Sequence, residues 1–357
     1  MLTAEVRETQ SGDRLAEVEL APGSSWGHGD GGERRAGIIL HDKYSRSQWR
    51  DLLTRWYDRI LLFLWDGVPI AEGFITDAPT YDRRRHIVTV THSWIPTILD
   101  RRWMHGVGPS TGGGGYVPSG EFAVSGVSIA GAVVEVLQRA YLDPISAAWP
   151  IPVQLPAVGS GSFSKRWKFH QFQTAAAIIK DLTVRDDGPQ MDLRPMLQAG
   201  KLTRVQRVGT LTGPTFDVFL DADESAADDA GFGMHGKATA TGVHLPGKGS
   251  DEGMRVGSAA NPVSAGLARD TIFWNKTEPD VGRLSAQARG RLNALRTMTR
   301  RPLTVKASLL SPADLRVGSI INIHSEDQLW EDTTSSVRVV GFSGGMGETY
   351  TIETVEA

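Results

Sequence analysis

Carboxylates, imidazoles and glycine-rich turns are the groups in this 357-residue chain whose spacing can be set against known chemistry. The run Asp221-Ala222-Asp223-Glu224-Ser225 opens like a calcium loop, in which alternate oxygens ligate the ion. Such a loop needs glycine at its sixth position, to turn the chain, and a bidentate acid at its twelfth. Ala226 and Phe232 stand there, so the stretch reads as a solvated acidic loop. Nine histidines invite a metal search, but none form an H-x-H or H-x-x-x-H pair. His86 and His92 would share one strand face with Val88 and Val90, yet they stand roughly 20 Å apart along it, too far for one ion. The glycine-rich loops at 112–115, 159–161 and 247–253 lack the G-x-x-x-x-G-K-[ST] order of a phosphate cradle. Asp77 and Asp82 fall in turns, where aspartate serves the backbone. No catalytic, cofactor-binding or metal-ligating residue is assigned.

Two further groups carry charge or large apolar surface. Arg283, Arg289, Arg291, Arg296, Arg300 and Arg301 make a helix over 284–299 strongly basic. This is either a solvated face opposite an apolar stripe or an interface for an acidic partner or a passing nucleic acid. Trp49 and Trp56 sit at helical spacing with Leu52 and Leu53 and are expected in the core. Trp26, in the polar glycine loop 23–32, is the candidate interface anchor.

The chain has no cysteine, so a disulfide framework, thiolate metal sites and a cysteine nucleophile are excluded. Net charge is −3, so no global basic field marks it for nucleic acid or an anionic membrane. The N-terminal residues lack the basic-then-apolar order of a signal peptide. The apolar run 60–65 is far too short to span a bilayer. A soluble protein without membrane insertion is expected.

Forty glycines, nearly all between short alternating runs, point to an α+β, mainly β fold. Residues 60–65 (ILLFLW) lead through Asp66-Gly67 into 68–76, which carries Gly73-Phe74; a polar turn and a strand at 86–92 follow. Residues 319–324 (SIINIH) lead through an acidic loop into 337–343, which carries Gly341-Phe342; a glycine-rich turn and a strand at 350–355 follow. The same strand–turn–strand unit written twice predicts two similar small β-barrels, with Phe74 and Phe342 on corresponding faces. Ser45 and Gln48 form a capping box ahead of a helix. Further helices are expected over 128–142, 172–182 and 284–298. The division that follows is 1–105 for a first barrel with one helix and 106–189 for a mixed α/β insertion. Residues 190–225 and 302–357 would form a second, discontinuous barrel, with 226–301 a loop-rich insertion carrying one helix.

The run Ser311-Pro312-Ala313-Asp314-Leu315-Arg316-Val317-Gly318-Ser319-Ile320-Ile321 resembles the segment near the C-terminus of phage tail hub proteins. The helix and meander carrying Trp65-Asp66-Gly67 and Gly73-Phe74-Ile75 resemble the first barrel of minor tail proteins from siphophages of actinobacteria. The resemblance covers both barrels, about half of the chain; its order and spacing are more specific than any one motif. It implies tail-tube-like barrels in a non-enzymatic tail-tip or baseplate hub. Three copies, each with two barrels, would make a pseudo-sixfold ring joining the hexameric tail tube to a threefold tip. The implied partners are the distal tail protein or tail tube, the tape measure protein and other minor tail proteins. Phage DNA would cross the channel without specific binding, no cofactor is implied, and the location is the virion, assembled in the host bacterial cytoplasm. The rival readings are a host-receptor or carbohydrate-binding tail module and a tail-associated hydrolase.

Overall fold

A computed structural model describes residues 1–29, 32–105, 119–142, 150–222, 224–228, 240–260, 270–296, 302–325 and 334–356. The N-terminal strands are β1 (Leu2–Glu8), β2 (Arg14–Leu20), β3 (Trp26–His28), β4 (Glu33–Ile39), β5 (Arg59–Trp65), β6 (Val68–Asp82) and β7 (Ile87–Ser93). Six of them close a barrel in the order β1-β2-β4-β7-β6-β5, with β1 antiparallel to β5 along its whole length. The β5–β6 turn has φ of 48° at Asp66 and 80° at Gly67, the left-handed pair that a two-residue hairpin needs to match strand twist. From Ile60 onward strand β5 is apolar because it is buried on both sides. Leu61 and Phe63 enter the barrel core, while Ile60, Leu62 and Leu64 enter a second core outside it.

Helix α1 (Arg46–Thr54) starts as expected. The Ser45 hydroxyl accepts from the Gln48 amide at 3.3 Å, and the Ser45 amide donates to the Gln48 side chain at 2.8 Å. Trp49, Leu52 and Leu53 are buried. Trp56 is not: the helix ends at Thr54, Tyr57 takes φ of 62°, and the Trp56 ring is left 43% exposed. Helical periodicity fails for Trp56 because the helix stops before reaching it.

The second core is built by α2 (Ile129–Tyr141) and α3 (Ala175–Thr183), packed with the outer face of β5 and β6. An antiparallel pair, β8 (Glu121–Val127) and β9 (Phe163–Lys168), flanks α2. The hairpin β10 (Gln190–Gln198) and β11 (Lys201–Gly209) forms a two-stranded sheet of its own. Of the segment 190–225, β12 (Thr215–Phe219) is the strand that enters the C-terminal sheet. After β13 (Ala227–Asp228) a small unit follows, with β14 (Gly242–Pro246), β15 (Val256–Ala260), β16 (Asp270–Ile272) and α4 (Val281–Arg296) around Val243, Leu245, Leu284, Ala288 and Leu292. The chain ends with β17 (Leu303–Lys306), β18 (Ile320–His324), β19 (Thr334–Gly344) and β20 (Thr349–Glu356).

Where a second barrel is expected, the described C-terminal strands form a seven-stranded sheet in the order β12-β18-β19-β20-β17-β13, with β3 also paired to β19, and its two ends do not pair with each other. Its antiparallel meander β18-β19-β20 repeats the order of β5-β6-β7. The copies differ in two ways. Strand β12 lies parallel to β18, whereas β1 is antiparallel to β5. The expected register also fails: Phe74 pairs with Ile60 and faces the second core, whereas Phe342 faces the first. Each strand carries its own one-residue bulge ahead of the phenylalanine, at Ile70 in β6 and at Val340 in β19, and each bulge resets which face the later side chains take. The fold is α+β and mainly β. No helix among the described residues is long and apolar enough to cross a membrane.

Candidate functional site

The polar groups that the fold brings together lie where the N-terminal barrel meets the C-terminal sheet. Strand β3 leaves the N-terminal barrel and adds to β19, pairing Trp26 with Gly344, Gly27 with Ser343 and His28 with Phe342. Trp26 is therefore buried within the chain and is not an outward-facing anchor. Its ring lies 6.2 Å from those of Phe342 and Tyr350, and its Nε1 donates to the Gly345 carbonyl at 2.9 Å. Gly29 follows with φ of 78°, and a Cβ there would meet the Val340 carbonyl, so only glycine suits that close approach.

His28 stacks on Phe342 at 5.1 Å and meets Asp192 of β10, Nε2 to Oδ1, at 2.8 Å. Both side chains are buried. The other Asp192 oxygen lies 3.7 Å from Arg207 of β11. A second buried pair ties β11 to the outside of the barrel, where Arg204 Nε donates to both Glu72 oxygens at 2.9 and 3.0 Å. Burial pushes the Glu72 carboxyl above its ordinary range, against the pull of Arg204. His92 on β7 is buried too and donates from Nε2 to the Ser25 carbonyl at 2.9 Å. Burial, reinforced by Arg34, lowers its pKa to about 4 despite that hydrogen bond.

These pairs can hold elements in register. They do not form a nucleophile, a base and an orienting group in one cleft. The strongest pairs join residues 132 to 164 positions apart, which no spacing rule can find. The available signal was a polar residue at an inward strand position, as with Arg204 and Gln206 alternating with Leu202 along β11.

The residues weighed from sequence take ordinary roles. Asp77 lies at a bulge within β6 rather than in a turn and accepts from the Ala78 amide at 2.8 Å, while Asp82, the last residue of β6, accepts from the Arg84 and Arg85 amides at 2.9 and 3.2 Å. His86 precedes β7 with φ of 54°, so it does not share the strand face of His92. Ser225 caps its own turn onto Ala227. Asp223, Phe232 and the loop 112–115 lie outside the described residues. The G-x-S-x-G spelling of a nucleophile elbow occurs at Gly23–Gly27 and Gly341–Gly345, in and beside the paired strands β3 and β19, and at Gly108-Pro109-Ser110-Thr111-Gly112, which lies outside the described residues. The described flanks of this last run are a 3-10 helix (Ile95–Arg101) and the strand β8, not the strand-then-helix setting of such an elbow. Among the described residues no three His, Asp or Glu side chains gather closely enough to hold a metal ion.

The basic helix α4 is spent largely within the chain. Arg289 pairs with Asp186 at 2.6 Å, Arg291 lies over the Phe273 ring at 4.4 Å, and Arg283 donates to the Ser164 carbonyl at 2.7 Å. The Arg296 side chain, Arg300 and Arg301 are outside the described set.

No family model matches the chain, and no curated protein matches it either. Solved structures do. The 43 kDa tail protein of prophage MuSo2 from Shewanella oneidensis superposes with a TM-score of 0.61 at 10% identity, over 99% of this chain and 98% of that one. A tail protein from Neisseria meningitidis MC58 gives 0.61 at 11% identity, over 99% and 96%. The prophage tail protein gp18 from Listeria monocytogenes EGD-e gives 0.52 at 11% identity, over 99% and 94%. The chain has the fold of these phage tail proteins along essentially its whole length.

Proposed function

We propose that this chain is a structural subunit of a phage tail, acting as a non-enzymatic hub at the tail tip or baseplate. The observation that carries the reading is the pair of like-ordered meanders, β5-β6-β7 and β18-β19-β20, in one chain with the fold of phage tail proteins. Two related units per chain let three chains present six, which is what a junction between a hexameric tube and a threefold tip requires. The proposed division keeps 1–105 as the first tube-like barrel, 190–225 with 302–357 as the second unit, which the first segment enters through β12, and 106–189 and 226–301 as insertions that meet neighbouring tail proteins. Its partners would be two further copies, the distal tail protein or tail tube, the tape measure protein and other minor tail proteins. DNA would pass through the channel without specific contacts. The virion tail tip is the proposed location, after assembly in the host cytoplasm.

The test is the mass and shape of the purified protein. Light scattering and low-resolution imaging are expected to give a trimer, alone or with tail partners, and a threefold ring with a central hole. A stable two-fold dimer overturns the ring. Turnover of peptidoglycan, glycans or esters, lost on changing one carboxylate or histidine, overturns the structural role.

A further inference from the structure

A groove of about 490 Å³ opens where three segments meet: the β5–β6 turn, the β10–β11 hairpin, and the stretch leading into β18. Arg194, Arg207 and Arg316 line it. Its apolar wall includes Val68 and Met196, which are 41% and 43% exposed. Two carboxylates act on Arg194 through their fields: Asp192, which is buried against His28 and lies 3.7 Å from Arg207, and the exposed Asp314. Arg207 is held by the Val317 and Thr212 carbonyls, and Arg194 reaches the Ala313 carbonyl at 3.3 Å. Among the described residues, no carboxylate lies within ion-pairing distance of Arg194 or of the exposed Arg316. Burial, then the positive field of Arg316, holds the Arg194 guanidinium below its ordinary range. Three like charges gathered beside exposed apolar surface ask for an anionic ligand that also carries apolar side chains.

A stretch of that chemistry comes directly after β18 in the sequence. Residues 326–332 read Glu-Asp-Gln-Leu-Trp-Glu-Asp, two acidic pairs around Leu329 and Trp330. They follow β18, whose five residues run about 13 Å away from the end where Arg316 lies. Arg316 therefore lies near one end of β18, and His324, from which the chain continues into the acidic stretch, ends the other. We propose that the arginine groove takes the acidic 326–332 segment of a second copy of this chain, in a head-to-tail contact of the kind that closes a ring. The subunit arrangement rests on the proposed ring; the groove's chemistry does not. Acidic polypeptide is favoured over nucleic acid because this groove offers arginines and aliphatic walls and no aromatic side chain on which a base would stack.

A synthetic peptide of residues 325–334, labelled and titrated into the full-length protein, tests the groove directly. Binding that weakens with salt is expected, with at least a tenfold loss in Arg316→Glu. A peptide carrying Glu331→Arg and Asp332→Arg is expected to lose wild-type binding and regain it with Arg316→Glu. No binding, no effect of Arg316→Glu, or equally tight binding of an oligothymidylate overturns the proposal. Assembly is read in parallel by light scattering. If the peptide binds but no trimer ever forms, the groove stands and the ring fails. If Arg316→Glu leaves a trimer intact, the ring stands and the groove is not its contact.

Discussion

His92 shows how burial sets chemistry at a single residue. Its imidazole lies between β4 and the turn before β3, donating to Ser25 and facing the cation of Arg34. A proton costs more there than in water, so its pKa falls from 6.5 to about 4. The unfolded chain therefore binds a proton between those values that the folded chain refuses. Stability is full above pH 6.5 and is lost as pH falls to about 4, by on the order of 3 kcal/mol. Below that pH, His92 contributes no further loss. His92→Gln, which retains an amide to donate to Ser25, is expected to show that much less acid sensitivity than wild type in urea unfolding. Parallel stability–pH curves for the two proteins would remove His92 as the cause.

At the scale of elements, the hairpin β10–β11 has two strands, too few to be stable alone. It is fixed by Arg204 to Glu72 on β6 and by Asp192 to His28 on β3. A buried ion pair gives little net stability against an apolar pair, but removing one partner strands the other charge. Glu72→Gln is therefore expected to cost about 3–5 kcal/mol. Glu72→Leu with Arg204→Met should cost clearly less than the two single changes together. A double-mutant cycle by chemical denaturation reads this, and strictly additive costs would mean the two side chains are not coupled.

For the whole molecule, one apolar core runs through both the N-terminal barrel and the C-terminal sheet, with Trp26 and Phe342 in it. Strand β3 crosses between them, so the two units are expected to unfold together. Trp26→Ala should cost about 3–5 kcal/mol and split one thermal transition into two. A single transition shifted downward without splitting would show that the seam is not what couples the units.

Sequence alone determined what neighbours in the chain decide. The Ser45 capping box, the Asp66-Gly67 turn, the helices α1 to α4 and the two meanders follow from local spacing, because a cap, a two-residue turn and an alternating strand each need only a few adjacent residues. Tertiary structure decided the rest. Trp26 read as a loop residue because β3 has three residues and its pairing partner lies more than 300 positions away. Trp56 lost its place in the core to a helix that ended two residues early. Phe342 faces a different core from Phe74 because each strand carries its own one-residue bulge ahead of the phenylalanine, at Ile70 in β6 and at Val340 in β19, and a bulge, invisible in the alternation, resets which face the later side chains take. The buried pairs His28–Asp192 and Arg204–Glu72 leave no local mark either. A charge is stable in a core only if the fold delivers its counterpart, and that delivery is a property of packing, not of spacing.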